Sequence, residues 1–196
     1  DITLVGSNKS FFPVAEFSIN SSDGVTTVSK QLKRKTEETF NVEKEIRVIY
    51  NFIDFARFRK TNKDHFKKAI APGGEKIMVH VSNFRKVKRV EDVIHVFKKV
   101  NAKLPCKLML IGDGPEREKM EELCRKLHLC DEIRFLGKQD AVEELLAVSD
   151  IFVLPSANES FGLAALEAMA CEVPVVSSDI GGLPEVNING KTGFLC

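Results

Sequence analysis

From residue 76 onward the chain alternates short, unbroken apolar runs with stretches whose apolar positions recur every three to four residues. Residues 76–82 (KIMVHVS), 107–111 (KLMLI), 133–136, 151–154 and 173–177 are dense in Val, Ile, Leu and Phe, and the pattern predicts strands. Between them, Val90, Val93, Ile94, Phe97 and Val100 lie on one stripe of a helix over 90–103, and further helices are predicted at 116–127, 141–148 and 162–170. Strands that are apolar along their whole length, rather than at alternate positions, are buried on both faces. Strict alternation of such strands with helices therefore predicts an α/β, Rossmann-like, doubly wound parallel sheet.

The first 51 residues read differently. A helix-compatible run covers 13–19, a β-branched strand 24–29, a helix 30–40 that Ser29 is placed to cap, and a second short strand 46–50, with no evident core of their own. Residues 52–75 are rich in Lys, Arg and Asn and end in Ala71-Pro72-Gly73-Gly74, a composition that predicts a linker. The expected organisation is thus 1–51, the tail of one domain; 52–75, a linker; and 76–196, a nucleotide-binding domain. The chain opens without methionine and closes on a strand-like Thr192-Gly193-Phe194-Leu195-Cys196, so a fragment is expected.

Composition removes several function classes. A net charge of +1 leaves no bulk basic footprint for nucleic acid, and no apolar stretch approaches the ~20 residues of a membrane span. The five cysteines are odd in number and lack any C-x-x-C pair, so they read as reduced thiols of a cytoplasmic protein. His65, His80, His95 and His128 are dispersed, and His80, inside a strand, reads as a core histidine. Neither G-x-G-x-x-G nor G-x-x-x-x-G-K-[ST] occurs, which disfavours a dinucleotide dehydrogenase and a P-loop enzyme.

In an open parallel sheet, ligands bind at the carboxyl ends of the strands. The loop after the fourth strand, Pro155-Ser156-Ala157-Asn158-Glu159-Ser160-Phe161-Gly162, leads into a helix whose first amides form a ready anion site, with Glu167 about one and a half turns inside it. An isolated E-x7-E would be an ordinary helix face. Its neighbours change that: Arg85, Lys86, Lys88 and Arg89 form a basic loop after the first strand, fit for charge-assisted contacts to a diphosphate. Gly112-Asp113-Gly114-Pro115 and Gly181-Gly182-Leu183-Pro184-Glu185 are either tight turns or close backbone approaches to a ligand.

Glu159-(x7)-Glu167 with Phe161-Gly162-Leu163, together with Gly112-Asp113-Gly114-Pro115, Pro174-Val175-Val176, Gly181-Gly182-Leu183-Pro184-Glu185 and Gly190-Lys191-Thr192-Gly193-Phe194, resembles the retaining glycosyltransferases of family 4, which have the two-domain GT-B fold. Over the whole length, Val28-Ser29-Lys30-Gln31-Leu32-Lys33, Val48-Ile49-Tyr50-Asn51-Phe52-Ile53-Asp54 and Val81-Ser82-Asn83-Phe84-Arg85-Lys86 are similar to the subfamily that transfers N-acetylglucosamine from UDP to L-malate in bacillithiol synthesis. The resemblance implies a UDP-sugar donor, a small hydroxy-acid acceptor, no metal and no other cofactor, and it admits a homodimer. Glu159, Lys88 and Arg85 become the expected catalytic set: Glu159 on the sugar hydroxyls, Lys88 on the departing diphosphate, and Arg85 standing in for an arginine that many members carry where this chain has Asn83. The expected donor-binding set is Glu167 on the ribose, amides from Ser160, Phe161, Gly162, Leu163 and Ala164 on sugar and phosphates, Gly137 and Lys138 beside the uracil, and Asn83 and Gly112 lining the site. A different donor or acceptor, and a noncatalytic nucleotide-sugar-binding module, are the alternatives. This stretch alone is expected to bind donor and turn over poorly, because most of the acceptor pocket lies in the family's N-terminal domain.

Overall fold

A computed structural model describes residues 8–62 and 64–196, and its contacts divide the chain into two compact units meeting at Phe52 and Ile53. The expectations that fall on residues 1–7 lie outside the described residues.

In the first unit, helix α1 (Phe12–Ser21) follows a single 3-10 turn, and strands β1 (Val25–Thr27) and β2 (Ile46–Val48) pair in parallel across helix α2 (Lys30–Thr39). Ser29 caps α2 as its position predicts, its Oγ accepting the Leu32 amide at 3.0 Å. The apolar centre is small: Phe40 and Ile46 are buried, and the Phe12 ring meets Phe40 edge-on at 5.1 Å.

The second unit carries a parallel sheet of six strands: β3 (Lys76–Val81), β4 (Cys106–Ile111), β5 (Ile133–Gly137), β6 (Ile151–Leu154), β7 (Val175–Ser177) and β8 (Gly193–Leu195), in the order β5-β4-β3-β6-β7-β8. Helices α4 (Val90–Asn101), α5 (Arg117–Lys126), α6 (Val142–Ala147) and α7 (Leu163–Ala170) connect successive strands, and a four-residue helix α8 (Leu183–Val186) precedes β8. Two apolar clusters form. Val93, Ile94, Phe97, Leu108, Leu110 and Met120 make up one, and Ile77, Val79, Met109, Phe152, Ala165 and Leu183 belong to the other. Neighbouring strand residues such as Leu108 and Met109 enter different clusters, as alternation on a doubly covered sheet requires.

Within residues 52–75, where composition predicts a linker, the chain carries folded structure. Helix α3 (Asp64–Ile70) lies within them, and Phe58, Ile70 and Ala71 are buried in the second unit's core. The polar residues that suggested a solvated connection surround this apolar minority, and Arg57 anchors the stretch by donating to the Asp140 carbonyl at 2.5 Å. No helix among the described residues is long and apolar enough to cross a membrane.

The strand order reverses between β3 and β6, the two central strands. Their ladder pairs Met78 with Ile151 and Val79 with Phe152; beyond that, at the carboxyl end, the buried His80 side chain bridges to β6 through Nδ1 and the Val153 carbonyl, 2.8 Å apart. The carbonyl can only accept, so Nδ1 carries the proton and Nε2 accepts from the Ser82 hydroxyl at 2.8 Å. Burial pushes the imidazole down to about 4, which keeps it neutral.

Candidate functional site

Loops leaving adjacent strands on either side of a reversal diverge and open a crevice, the place where doubly wound sheets take ligands. Here these are the loop after β3, residues 82–89, and the loop after β6, residues 155–162. They are tied together by the Ala157 amide, which donates to the Val87 carbonyl at 2.8 Å. Across the crevice Lys88 Nζ donates to Glu159 Oε1 at 2.5 Å, an ion pair between side chains only 20% and 12% exposed. The Ser156 hydroxyl, buried, donates to the same oxygen at 3.0 Å. Oε2 of Glu159 has no hydrogen-bond partner among the described residues.

The backbone beneath Glu159 is held from behind. The Gly182 amide donates to the Glu159 carbonyl at 2.9 Å, and a Cβ on Gly181 would lie 1.9 Å from that carbonyl oxygen. Gly181-Gly182 is therefore a close backbone approach, with its partner a neighbouring loop. The same holds for Gly112, with φ of 120°, where a Cβ would fall 1.8 Å from the Ser82 carbonyl oxygen, and for Gly114, where one would fall 2.1 Å from that of Asn83. This loop supports the segment carrying Lys88 from one side, while Gly112 also donates to the Gly137 carbonyl at 2.8 Å.

Gly162 is the N-cap of α7 rather than its first residue, with φ of 96° in the left-handed region that glycine favours. Leu163 and Ala164 open the helix, where amides lack intrahelical acceptors. Ser160 and Leu163 are exposed, whereas the Phe161 side chain is buried and contributes backbone alone to this face. Glu167 follows in α7, half-buried, with no hydrogen bond to its carboxylate among the described residues. Burial raises its pKa, opposed by attraction from Arg57 and reinforced by repulsion from Glu143. Arg57 in turn pairs with Glu143, Nη2 to Oε2 at 2.9 Å; that oxygen is buried and compensated by charge rather than by an aligned hydrogen bond.

Three of the expected residues stand apart from the Lys88–Glu159 pair. Arg85 is exposed and lines a cavity of about 650 Å³ with Val87, Glu116, Met120 and Ala157. Asn83 and Lys138 are also exposed, in the loops after β3 and β5. The Arg85 carbonyl accepts the Lys88 amide at 2.8 Å, so Arg85 touches the pair through backbone, while among the described residues none of the three side chains bonds to the Lys88 or Glu159 side chain. Reading residues alone missed Ser156 and Ser82. The only signal for either was a small hydroxyl within two residues after a buried strand. No group of three or more His, Cys, Asp or Glu side chains is arranged to hold a metal among the described residues.

A crevice at a strand-order reversal, a half-buried carboxylate–ammonium pair across it, a helix N-terminus beside that pair and, one turn further, a carboxylate without a hydrogen bond among the described residues suit a ligand that is anionic at one end and rich in hydroxyls at the other. Comparison with known proteins gives the family. The chain is 48% identical over 197 residues, all of its length and 52% of the relative's, to N-acetyl-alpha-D-glucosaminyl L-malate synthase of Bacillus anthracis. It is 34% identical to glycogen synthase of Mycobacterium tuberculosis, over 93% of this chain and 44% of that one. Among solved structures, sucrose-phosphate synthase from Thermosynechococcus elongatus superposes with a TM-score of 0.83 at 26% identity, covering 96% of this chain and 48% of the other. The Anabaena protein HepE in complex with UDP gives 0.85 at 25%, covering 95% and 53%. The chain thus spans about half the length of the relatives it matches. Residues 61–196 match the family of glycosyl transferases group 1, and the chain belongs to that family.

Proposed function

We propose that this chain forms the donor side of a retaining glycosyltransferase that moves N-acetylglucosamine from UDP-N-acetylglucosamine to the hydroxyl of L-malate in the cytoplasm, without a metal. The observation that carries the reading is the Lys88–Glu159 pair at the reversal between β3 and β6, beside the start of α7. Identity of 48% over the whole chain to a synthase of that name supports the choice of donor and acceptor.

In this reading the diphosphate lies between Lys88 and the first amides of α7, where fixed positive charge stabilises the oxygen that departs with the nucleotide. Glu159 accepts from sugar hydroxyls and Glu167 from the ribose, which gives the half-buried carboxylate the partners it lacks. Asn83, Gly112, Gly137 and Lys138 frame the nucleotide from the loops after β3, β4 and β5. Arg85 reaches the phosphates only by turning out of its cavity.

Calorimetry with UDP, UDP-N-acetylglucosamine and UDP-glucose tests the donor, and incubation with L-malate tests the acceptor. Glu167→Ala is expected to weaken UDP about tenfold to a hundredfold, the value of one or two hydrogen bonds to a charged group. Unchanged UDP affinity in that variant would remove Glu167 from the site. Tighter binding of UDP-glucose than of UDP-N-acetylglucosamine would move the chain to another donor.

A further inference from the structure

Two donors converge on one oxygen of Glu159, and they are not equivalent. Lys88 Nζ at 2.5 Å is a charge that the donor's diphosphate also attracts, since both anions compete for one ammonium. The Ser156 hydroxyl at 3.0 Å has no such competitor: it is 1% exposed, three residues from the carboxylate it serves, and fixed by the end of β6. With Oε1 bonded twice from inside the protein, Oε2 is the carboxylate oxygen to which neither Lys88 nor Ser156 is bonded.

We propose that Ser156 is a positioning residue for sugar recognition: its hydroxyl keeps Glu159 Oε1 turned inward when Lys88 is drawn to the phosphates, so that Oε2 meets the sugar hydroxyls. The inference rests on the donor-site reading. The loop geometry gives it a reason. Gly181 and Gly182 already hold the Glu159 backbone, leaving the side-chain torsions as the freedom still to be restrained. A carboxylate left to rotate forms its bond to a sugar only after its rotamers are ordered, and that cost is taken from affinity.

UDP lacks the N-acetylglucosamine that Glu159 would meet, whereas the sugar nucleotide carries it, so their affinity ratio isolates the effect. The test is calorimetry of the 196-residue chain with both ligands, in wild type, Ser156→Ala, Ser156→Thr and Glu159→Ala. Ser156→Ala is expected to leave UDP affinity within about twofold and to lower the UDP-N-acetylglucosamine to UDP ratio about five- to twentyfold, in the same direction as Glu159→Ala. Ser156→Thr, which keeps the hydroxyl, is expected to restore most of the ratio. A general structural defect would weaken both ligands alike, and that result overturns the proposal. If Glu159→Ala shifts the ratio and Ser156→Ala does not, the positioning role fails while the donor site stands. If neither shifts it, Glu159 does not meet the sugar; if wild type does not bind UDP, the donor site itself is wrong, and Ser156 loses its role in either case.

Discussion

His80 shows what one buried side chain commits the molecule to. Its ring is fully buried, donates from Nδ1 to Val153 and accepts at Nε2 from Ser82, an arrangement available only to the neutral imidazole. Burial is the largest cause of its lowered pKa, about 4, and the charge of Lys88 adds to it. The unfolded chain binds that proton near the ordinary value of about 6.5, so between 6.5 and 4 the unfolded state holds more protons than the folded one. Stability contributed by the neutral ring is complete above the unfolded value and is lost as pH falls toward the folded one, by up to about 3 kcal/mol. Denaturant titrations at pH 7 and pH 4.5 should show this loss, and His80→Gln should flatten it. An acid slope that is the same in His80→Gln would assign the titration to other groups. Protonation also removes the acceptor for Ser82, the first residue of the loop that carries Lys88, which links this core histidine to the crevice.

Elements meet at this site through backbone, and glycine is what permits it. Gly181, with φ of 61°, sits where a Cβ would be 1.9 Å from the Glu159 carbonyl oxygen, a clash with main chain that cannot rotate away. Gly181→Ala combines that overlap with a left-handed backbone and is expected to cost about 2 to 4 kcal/mol, pushing apart the loops after β6 and β7. Chemical denaturation checks the stability. A loss below about 1 kcal/mol, the penalty of the left-handed backbone alone, would mean that the loops yield freely. The alternating strands and helices were legible because parallel strands buried on both faces leave apolar runs that no surface strand would carry. Helix α3 was not: seven residues in a Lys- and Arg-rich stretch present too short a stripe, and it is the packing of Phe58, Ile70 and Ala71 into the core that shows the segment is folded. Glu159 and Lys88 could each be assigned to a loop at a strand's carboxyl end. That they touch across 71 residues follows from the lateral order of the strands, which periodicity along the chain does not encode. The glycine at 112 fits a ligand or a neighbouring loop equally well by sequence, and the Ser82 carbonyl against it is a tertiary contact; the role of Ser156 likewise depends on its bond to Glu159 Oε1.

At the scale of the whole molecule the two units differ in what they can sustain. Both apolar clusters and all six strands of the large sheet belong to residues 53–196, and so do Lys88, Glu159, Glu167 and Ser156. Residues 8–52 contribute two three-residue strands and a centre built on Phe40 and Ile46. A two-stranded sheet of that size is marginal by itself, whereas a six-stranded sheet covered on both faces has the area to fold alone. A polypeptide of residues 53–196 is therefore expected to unfold cooperatively and to bind UDP within about threefold of the full chain, the spread that additive, independent regions show. Calorimetry and denaturation on the same preparation decide it. Cooperative unfolding with UDP binding weakened more than about tenfold would mean that residues 1–52 supply part of the nucleotide site, since a loss above about 1.4 kcal/mol exceeds what independent regions exchange. Retained affinity would place the whole of UDP recognition in the unit that carries the β3–β6 crevice and leave the first unit to whatever receives the sugar.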